Sequence, residues 1–172
     1  MKNESEPILN SYWVEKDHLM AGEYPYSNDP DQADRIVRWL NANKFSYFLD
    51  LTEPGEYGLK AYAPTILKRA TNNNVIHNRM PVPDMGIPSK DRMSRILDAI
   101  DDALGEQHCL YLHCYAGVGR TGTVVGCYLV RHGMDGEDAL EQIAQLRKKS
   151  FDSWHRSPET EAQRRMVMNW ME

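Results

Sequence analysis

The chain has 172 residues, a length that fits one domain with its own hydrophobic core, and we predict that residues 1–172 form a single domain. Hydrophobic residues make up 41% of the sequence and charged residues 26%, which is normal for a globular protein. The formal net charge of −5 argues against nucleic-acid and membrane partners, so any phosphate site must be a local concentration of positive charge.

The sequence has the features of a cytoplasmic protein. No apolar stretch approaches the ~20 residues that span a bilayer, and the polar, acidic N-terminus lacks the pattern of a secretory signal. Three cysteines, Cys109, Cys114 and Cys127, are too few and too odd in number for a disulfide framework. Because the sequence has no C-x-x-C pair and no H-E-x-x-H motif, we predict no metal site.

Strands and helices alternate in the first half of the chain. Short strands are predicted at 13–14, 19–21, 45–51 and 75–79. Asp29 and Pro30 pair an N-cap residue with a proline at the first helical position, which predicts a helix start. A second helix is predicted over 59–71, with asparagines 72–74 ending it. The residues that this second helix should turn inward are Tyr62, Ile66, Leu67 and Ala70.

The second half continues the alternation. A proline-rich loop over 80–88 precedes a helix that Ser89 caps and Gly105 ends. The elements predicted after it are a strand over 109–113, a glycine-containing turn over 114–120 and helices starting at 121, 135 and 157. This order predicts an α/β fold, a three-layer domain in which helices flank a central mixed, largely parallel sheet of about four to five strands.

The most informative stretch is the turn between the fifth strand and the helix that follows it. Its sequence runs His-Cys-Tyr-Ala-Gly-Val-Gly-Arg-Thr-Gly from His113 to Gly122. A strand–turn–helix of this kind converges backbone N–H groups on the positive end of the helix dipole, which makes an anion site. Gly117 and Gly119 permit the tight backbone, and Arg120 has a planar fork that matches two phosphate oxygens.

Cys114 stands at the start of this anion site. The N–H groups, the dipole and the guanidinium that hold a phosphate also stabilise a thiolate, so we expect this cysteine to be ionised at neutral pH. The hydroxyl of Thr121 is placed to donate to the sulfur. A purely structural buried cysteine is the alternative, but it explains neither the glycines nor the arginine six residues later.

The pattern H-C-x-x-G-x-G-R-T-G resembles the signature of the protein tyrosine phosphatase superfamily, and the chain most resembles its small dual-specificity-like members. The resemblance implies that His113 orients the loop rather than acting as a base. It also implies a monomer that needs no cofactor and acts on a phosphoprotein or phosphopeptide. The implied phosphate-binding residues are Tyr115, Ala116, Gly117, Val118, Gly119 and Arg120.

Two further groups follow from the resemblance. Expelling an alkoxide or phenolate requires a proton at the leaving oxygen, and the family carries an aspartate for this on a loop before the signature. Asp84 is the match, with Gly86 as a hinge for its loop; an ordinary solvated aspartate is the alternative. Gln163 matches the glutamine that positions the hydrolytic water, with an exposed helix glutamine as the alternative. Glu53 is a weaker candidate for the rim.

The sequence therefore predicts a phosphatase that forms a phosphocysteine on Cys114 and hydrolyses phosphotyrosine. We find no clear counterpart of the aromatic loop that walls the deep pocket of larger tyrosine phosphatases, so we expect a shallower pocket that also admits phosphoserine and phosphothreonine. Tyr115 and Val118 stand where inositide phosphatases often have lysines. The alternatives are a phosphatase of inositol phosphates or RNA 5′-phosphates, and a non-catalytic phosphate-binding module.

Overall fold

A computed structural model of the chain describes residues 6–69 and 74–172. Its centre is a five-stranded mixed sheet, as predicted. The antiparallel edge strand is β1 (Ser11–Glu15), and the other four strands are parallel to one another. They are β2 (Leu19–Gly22), β3 (Phe45–Asp50), β4 (Ile76–Arg79) and β5 (Cys109–His113), and the order across the sheet is β1-β2-β5-β3-β4.

Within the described parts of the chain, six α-helices cover the two faces of the sheet. They are α1 (Pro30–Ala42), α2 (Ala63–Arg69), α3 (Lys90–Gly105), α4 (Gly119–Arg131), α5 (Gly136–Leu146) and α6 (Glu161–Met168). Alternate side chains of β5 point to opposite faces of the sheet, and each face packs on its own hydrophobic cluster. Leu110 and Leu112 belong to one cluster, and Cys109 and Tyr111 belong to the other. The first cluster contains residues of α3 to α6 and the second contains residues of α1 and α2, which confirms the predicted three layers.

The second helix is shorter than predicted. α2 begins at Ala63 rather than at residue 59, because Pro64 has no N–H and fits only the first turn of a helix. Tyr62 and Ile66 are buried as predicted, but Leu67 is 47% exposed, so its inward placement is wrong. The predicted inward Ala70 and the predicted stop at Asn72 and Asn73 lie outside the described residues.

The last helix begins later than the predicted Ser157-Pro158-Glu159 start. Thr160 is the N-cap, and its hydroxyl accepts from the Gln163 N–H while the Gln163 side chain accepts from the Thr160 N–H. This reciprocal capping box satisfies the free amides at the helix start and fixes it there. Ser157 is left outside the helix, where its hydroxyl donates to the Val118 carbonyl.

Among residues 6–69 and 74–172, no helix combines the length and the apolar composition that a bilayer span requires. The cytoplasmic location stays a prediction.

Close packing of α4 on α6 gives a test of the fold. A Cβ added to Gly126 in α4 would lie 2.5 Å from a methyl carbon of Val167 in α6. We expect Gly126→Ala to lower the free energy of unfolding by about 1–3 kcal/mol through overpacking. Urea unfolding measures this change.

The matched control is Gly105→Ala at the end of α3, where an added Cβ meets nothing within 4 Å. This variant should be neutral or more stable by up to about 1 kcal/mol, because alanine favours the helix. Equal effects of the two substitutions would contradict the packing of α4 on α6.

Candidate active site

Cys114 lies where the parallel strands end. It follows β5 directly, and β5 is the middle strand of the sheet. The Leu51 N–H donates to the His113 carbonyl at 2.9 Å, and the Tyr24 N–H donates to the Tyr115 carbonyl at 2.9 Å. The chain around Cys114 is therefore tied to the segments that follow both neighbouring strands, as expected for a site at the carboxyl edge of an α/β sheet.

Gly117 lets the loop after Cys114 pass close to β2. Its φ is +74°, and an added Cβ would lie 2.5 Å from the carbonyl carbon of Gly22 and 2.6 Å from the Glu23 nitrogen. A side chain at this position would meet both backbone strain and a steric clash. The sequence prediction that a glycine is needed here agrees with this geometry.

The loop ends at the start of α4, two residues earlier than predicted, so Gly119 and Arg120 belong to the first helical turn. Val118 occupies the N-cap position and makes no side-chain capping bond. No side-chain cap accepts from the first amides of α4, and these N–H groups form the positive end of the helix dipole. This is the arrangement that binds an oxyanion.

A cavity of about 180 Å³ opens at this helix start. Cys114 is 3% exposed and lies on its wall. Gly117 and Val118, two of the predicted phosphate-binding residues, are not among the wall residues, so their contact with phosphate stays a prediction. The wall consists of Asp84, Met85, Cys114, Tyr115, Ala116, Gly119, Arg120, Glu159 and Gln163.

Arg120 is buried and held by a carboxylate that the sequence analysis did not identify. Its Nη1 and Nη2 donate to the two carboxylate oxygens of Glu56 at 2.7 and 2.6 Å, and Nη1 also donates to the Val82 carbonyl at 3.1 Å. Burial alone would lower the pKa of Arg120, but the hydrogen bonds to Glu56 raise this pKa above its ordinary value. The guanidinium is therefore charged and fixed in orientation beside Cys114.

Asp84 also lines the cavity and lies beside Arg120. Its Oδ1 is 3.0 Å from Nη2 of Arg120, and its side chain is 34% exposed. The Gly86 N–H donates to the Pro83 carbonyl at 3.0 Å and closes a turn around Asp84. The positive φ of this turn lies at Met85, at +58°, and Gly86 is not among the glycines with positive φ. The position of Asp84 suits a group that exchanges a proton with a leaving oxygen.

Two tyrosine rings frame the mouth. Tyr57, in a 3₁₀ turn over Glu56–Gly58, is 67% exposed, and its hydroxyl donates to Oδ2 of Asp84. Its ring centroid lies 4.9 Å from that of Tyr115, which is 45% exposed. These rings are aromatic groups beside the cavity, and the expected shallow pocket that also admits phosphoserine and phosphothreonine stays a prediction. Sequence reasoning missed Tyr57, because nothing in the spacing of the sequence connects this residue with Asp84, which lies 27 residues later.

Gln163 is fully buried against the phosphate loop. Its Nε2 donates to the Gly86 carbonyl at 3.1 Å, and a Cβ added to Gly119 would lie 3.1 Å from its amide group. Gln163 thus links α6 to the Asp84 loop while lining the cavity. The alternative of an exposed helix glutamine is wrong, because the exposure of Gln163 is 0%.

His113 is buried behind Cys114 and is neutral at pH 7. Its Nδ1 donates to the Cys114 carbonyl at 3.2 Å, while its Nε2 accepts from the Tyr62 hydroxyl at 2.6 Å. Burial lowers the pKa of His113 to about 4. These contacts suit a residue that holds the loop, as the sequence analysis expected, rather than one that takes a proton from substrate.

Asp50 supports His113 from the end of β3. This fully buried carboxylate lies 3.9 Å from Nδ1 of His113 and accepts from His77, Arg79 and Thr52. Burial alone would raise the pKa of Asp50, but the hydrogen bond from His77 and the other partners keep this pKa well below its ordinary value. The resulting polar cluster connects the ends of β3, β4 and β5 behind the loop.

Thr121 and the two other cysteines, Cys109 and Cys127, complete the residues that the sequence singles out around the phosphate loop. The Thr121 hydroxyl donates to the Gly22 carbonyl at 3.4 Å, so its donation to the Cys114 sulfur stays a prediction. Cys109 and Cys127 are buried, and burial raises the pKa of each thiol to about 12. These two cysteines therefore have the character of core residues, as expected. Within residues 6–69 and 74–172, no group of three or more His, Cys, Asp or Glu side chains could hold a metal ion.

Comparisons with known proteins agree with this geometry. The family described as "Polymorphic toxin system, DSP-PTPase phosphatase" matches residues 30–134. The chain belongs to this family. It is a small, dual-specificity-like phosphatase of the protein tyrosine phosphatase superfamily, which is the family that the signature around Cys114 indicates.

Individual relatives cover parts of the chain. The mouse dual specificity protein phosphatase CDC14B is 38% identical over 80 residues, which are 46% of this chain and 16% of that protein. The Arabidopsis thaliana protein named phosphatidylinositol 3,4,5-trisphosphate 3-phosphatase and protein-tyrosine-phosphatase PTEN1 is 31% identical over 126 residues, 71% of this chain and 29% of its own. The chain thus spans less than a third of either relative.

Among solved structures, Tk-PTP in its active form superposes with a TM-score of 0.71 at 21% identity, covering 94% of this chain and 98% of that chain. At this identity the likeness establishes the fold and no more.

The pKa of His113 predicts an acid-sensitive fold. In an unfolded chain the imidazole takes up a proton near pH ~6.5, whereas in the phosphatase it stays neutral down to a pH of about 4. The unfolded state therefore binds more protons between these values, so the free energy of unfolding falls as the pH is lowered, by up to ~1.4 kcal/mol per pH unit.

Urea unfolding at pH values of about 7, 5.5 and 4.5 measures this slope. His113→Gln should flatten the slope, whereas His18→Gln, at an exposed position, should keep the wild-type slope. Equal slopes in wild type and His113→Gln would show that the imidazole is not held neutral by the fold.

Proposed function

We propose that this phosphatase hydrolyses phosphotyrosine in phosphoproteins, through a phosphocysteine formed on Cys114. The observation that carries the proposal is the content of one 180 Å³ cavity, which places Cys114, Arg120 and Asp84 together under a mouth framed by tyrosine rings. A non-catalytic phosphate-binding module would need Glu56 to position Arg120, but it would have no use for Asp84, a proton donor on the wall of the cavity. The monomeric state stays a prediction.

The first step transfers the phosphoryl group to sulfur. The phosphate dianion binds the amides at the start of α4 and the Arg120 guanidinium. The Cys114 thiolate attacks phosphorus, the S–P bond forms and the bond from phosphorus to the tyrosyl oxygen breaks. That oxygen leaves with a proton from the Asp84 carboxyl group, so tyrosine departs neutral and Asp84 becomes a carboxylate.

The second step restores the enzyme. Water gives a proton to the Asp84 carboxylate while its oxygen attacks phosphorus, and the P–S bond breaks to release inorganic phosphate and the Cys114 thiolate. The amide of Gln163 lines the same cavity and is the group we assign to hold this water. The buried polar contacts of Gln163 to the Asp84 loop would keep its amide in place between the two steps.

Arg120 supplies the electrostatic stabilisation. Charge gathers on the equatorial phosphoryl oxygens during transfer, and a fixed guanidinium stabilises it without reorganisation. Both oxygens of Glu56 and the Val82 carbonyl orient this guanidinium, which leaves one N–H of Nη2, facing Asp84, and the Nε–H for the phosphate. The function of Glu56 is thus to position Arg120 rather than to contact substrate.

The charge of the mouth favours a monophosphate over a multiply phosphorylated inositol. Among the described residues that line the cavity, Arg120 is the one cation, and the carboxylates are those of Asp84 and Glu159. A second phosphate group would approach Glu159 without a compensating cation, which costs binding free energy. This is why we place phosphotyrosine before inositol phosphates, although a relative's name includes both activities.

The tyrosine rings favour an aromatic leaving group. Tyr57 and Tyr115 present apolar faces at the mouth, and a phosphotyrosine ring would bury part of its area against them. Phosphoserine and phosphothreonine offer no ring for this contact. We therefore expect them to be slower substrates than phosphotyrosine.

The test is a substrate panel of phosphotyrosine and phosphothreonine peptides and phosphatidylinositol phosphates. We expect the highest kcat/KM for phosphotyrosine peptides. Cys114→Ser should lower turnover by at least ~10⁴-fold, since the hydroxyl is a far weaker nucleophile, while the variant still binds the phosphopeptide.

Cys109→Ser is the matched control, because this thiol lies outside the cavity and its variant should retain wild-type turnover. Turnover retained by Cys114→Ser would exclude the phosphocysteine. A higher kcat/KM for the inositol lipids than for the phosphotyrosine peptides would contradict the proposed substrate.

A further inference from the structure

A second cavity adjoins the phosphate cavity on the side of β2. Its volume is about 410 Å³, and Tyr115 and Ala116 line both cavities. We name it the Glu23 groove. Its other wall residues used below are Ile8, Asn10, Glu23, Tyr24 and Ile36. Because Tyr115 and Ala116 line both cavities, a chain that leaves the phosphate site beside these residues enters the groove.

The backbone places the groove next to the phosphate loop. The Tyr24 N–H donates to the Tyr115 carbonyl, and the Glu23 nitrogen lies against Gly117 closely enough that a Cβ there would approach it to 2.6 Å. Because an extended peptide advances about 3.3 Å per residue, the groove is within reach of the first ~3 residues beside a bound phosphotyrosine.

The floor of the groove is apolar, and its wall carries one charge. Ile8, Tyr24 and Ile36 are buried at 2%, 7% and 4% exposure. Among the described residues that line the groove, Glu23 is the one carboxylic acid, and none is lysine, arginine or histidine. A ligand that suits this surface has an aliphatic stem and a cationic end, which describes arginine and lysine side chains.

Glu23 lacks a cation of its own. Its two carboxylate oxygens accept from the Asn10 N–H at 3.2 Å and from the Asn10 side-chain amide at 3.1 Å, and no salt bridge among residues 6–69 and 74–172 includes it. Burial raises the pKa of Glu23, and the like charge of Asp152 raises it further, against the lowering effect of Asn10. A partly buried carboxylate in these surroundings gains stability from a positive partner.

We infer that the Glu23 groove binds the residues that flank the phosphotyrosine of a peptide substrate, and that Glu23 pairs with an arginine or lysine within about three residues of it. The inference rests on the proposed function, because it takes the phosphate cavity to be occupied by phosphotyrosine. Glu23 is then a residue that determines specificity without contacting the reacting atoms.

The experiment uses phosphotyrosine peptides that are identical except for arginine, glutamine or glutamate at each of the three positions on either side. Each kcat/KM is divided by that of the same enzyme for p-nitrophenyl phosphate, which has no flanking residues, so a loss of folded enzyme cancels. At the best position we expect the arginine peptide to exceed the glutamine peptide by about fivefold, the effect of a partly exposed ion pair.

Two substitutions test the assignment to Glu23. Glu23→Gln should bring the ratio between arginine and glutamine peptides close to one. Glu23→Lys should invert the order, so that the glutamate peptide becomes the best substrate, a gain that misfolding cannot produce. Glu141→Gln and Glu141→Lys make the same charge changes on an exposed face of α5 and should retain the wild-type order.

The outcomes separate the two proposals. Hydrolysis of all the peptides with no dependence on the flanking charge, or an unchanged order in Glu23→Lys, would overturn the groove inference and leave the proposed function standing. Failure of the wild type to hydrolyse any phosphotyrosine peptide, together with activity on vesicles that contain a phosphatidylinositol phosphate, would overturn the proposed function and the groove inference together.

Discussion

The interaction on which this site depends is the pairing of the Arg120 guanidinium with the carboxylate of Glu56. A guanidinium that is 2% exposed is costly unless its N–H groups are bonded, and Glu56 accepts from both of its terminal nitrogens. The Val82 carbonyl and Asp84 take further N–H groups. Because Glu56 follows β3, Val82 and Asp84 follow β4 and Arg120 itself follows β5, pairing one cation brings three loops to one edge of the sheet. The acid, the nucleophile and the phosphate site come together as a consequence.

The parts of this arrangement that could be predicted from the sequence are encoded locally. Cys114, the glycines after it and Arg120 lie in one contiguous strand–turn–helix, so their spacing alone indicates an anion site. The alternation of strands and helices likewise predicts the parallel sheet. Gln163 could be placed at the site only through family resemblance, and its burial against Gly119 agrees with that expectation.

The rest could not be predicted, because it depends on contacts between segments far apart in the chain. Glu56 and Tyr57 lie in a loop whose composition indicates a turn and nothing more, and their functions arise only where Arg120 and Asp84 meet them. The last helix begins after Thr160 rather than at Ser157, because Thr160 and Gln163 form the capping box. The Gln163 side chain also donates to the Gly86 carbonyl of the distant Asp84 loop, a contact that the sequence does not reveal. The Glu23 groove forms where the N-terminal segment packs against α1 and the phosphate loop. The hydrophobic periodicity of the sequence does not predict this packing.

The central claim is that the phosphoryl group passes through the sulfur of Cys114, and trapping the intermediate tests it most directly. The enzyme is mixed with a phosphotyrosine peptide carrying labelled phosphate, quenched within milliseconds and digested, and the labelled fragment is identified by mass spectrometry. We expect the label on the fragment that contains Cys114, at a level that rises before free phosphate and is absent from Cys114→Ser. Release of labelled phosphate with no label on that fragment at any time would contradict the account.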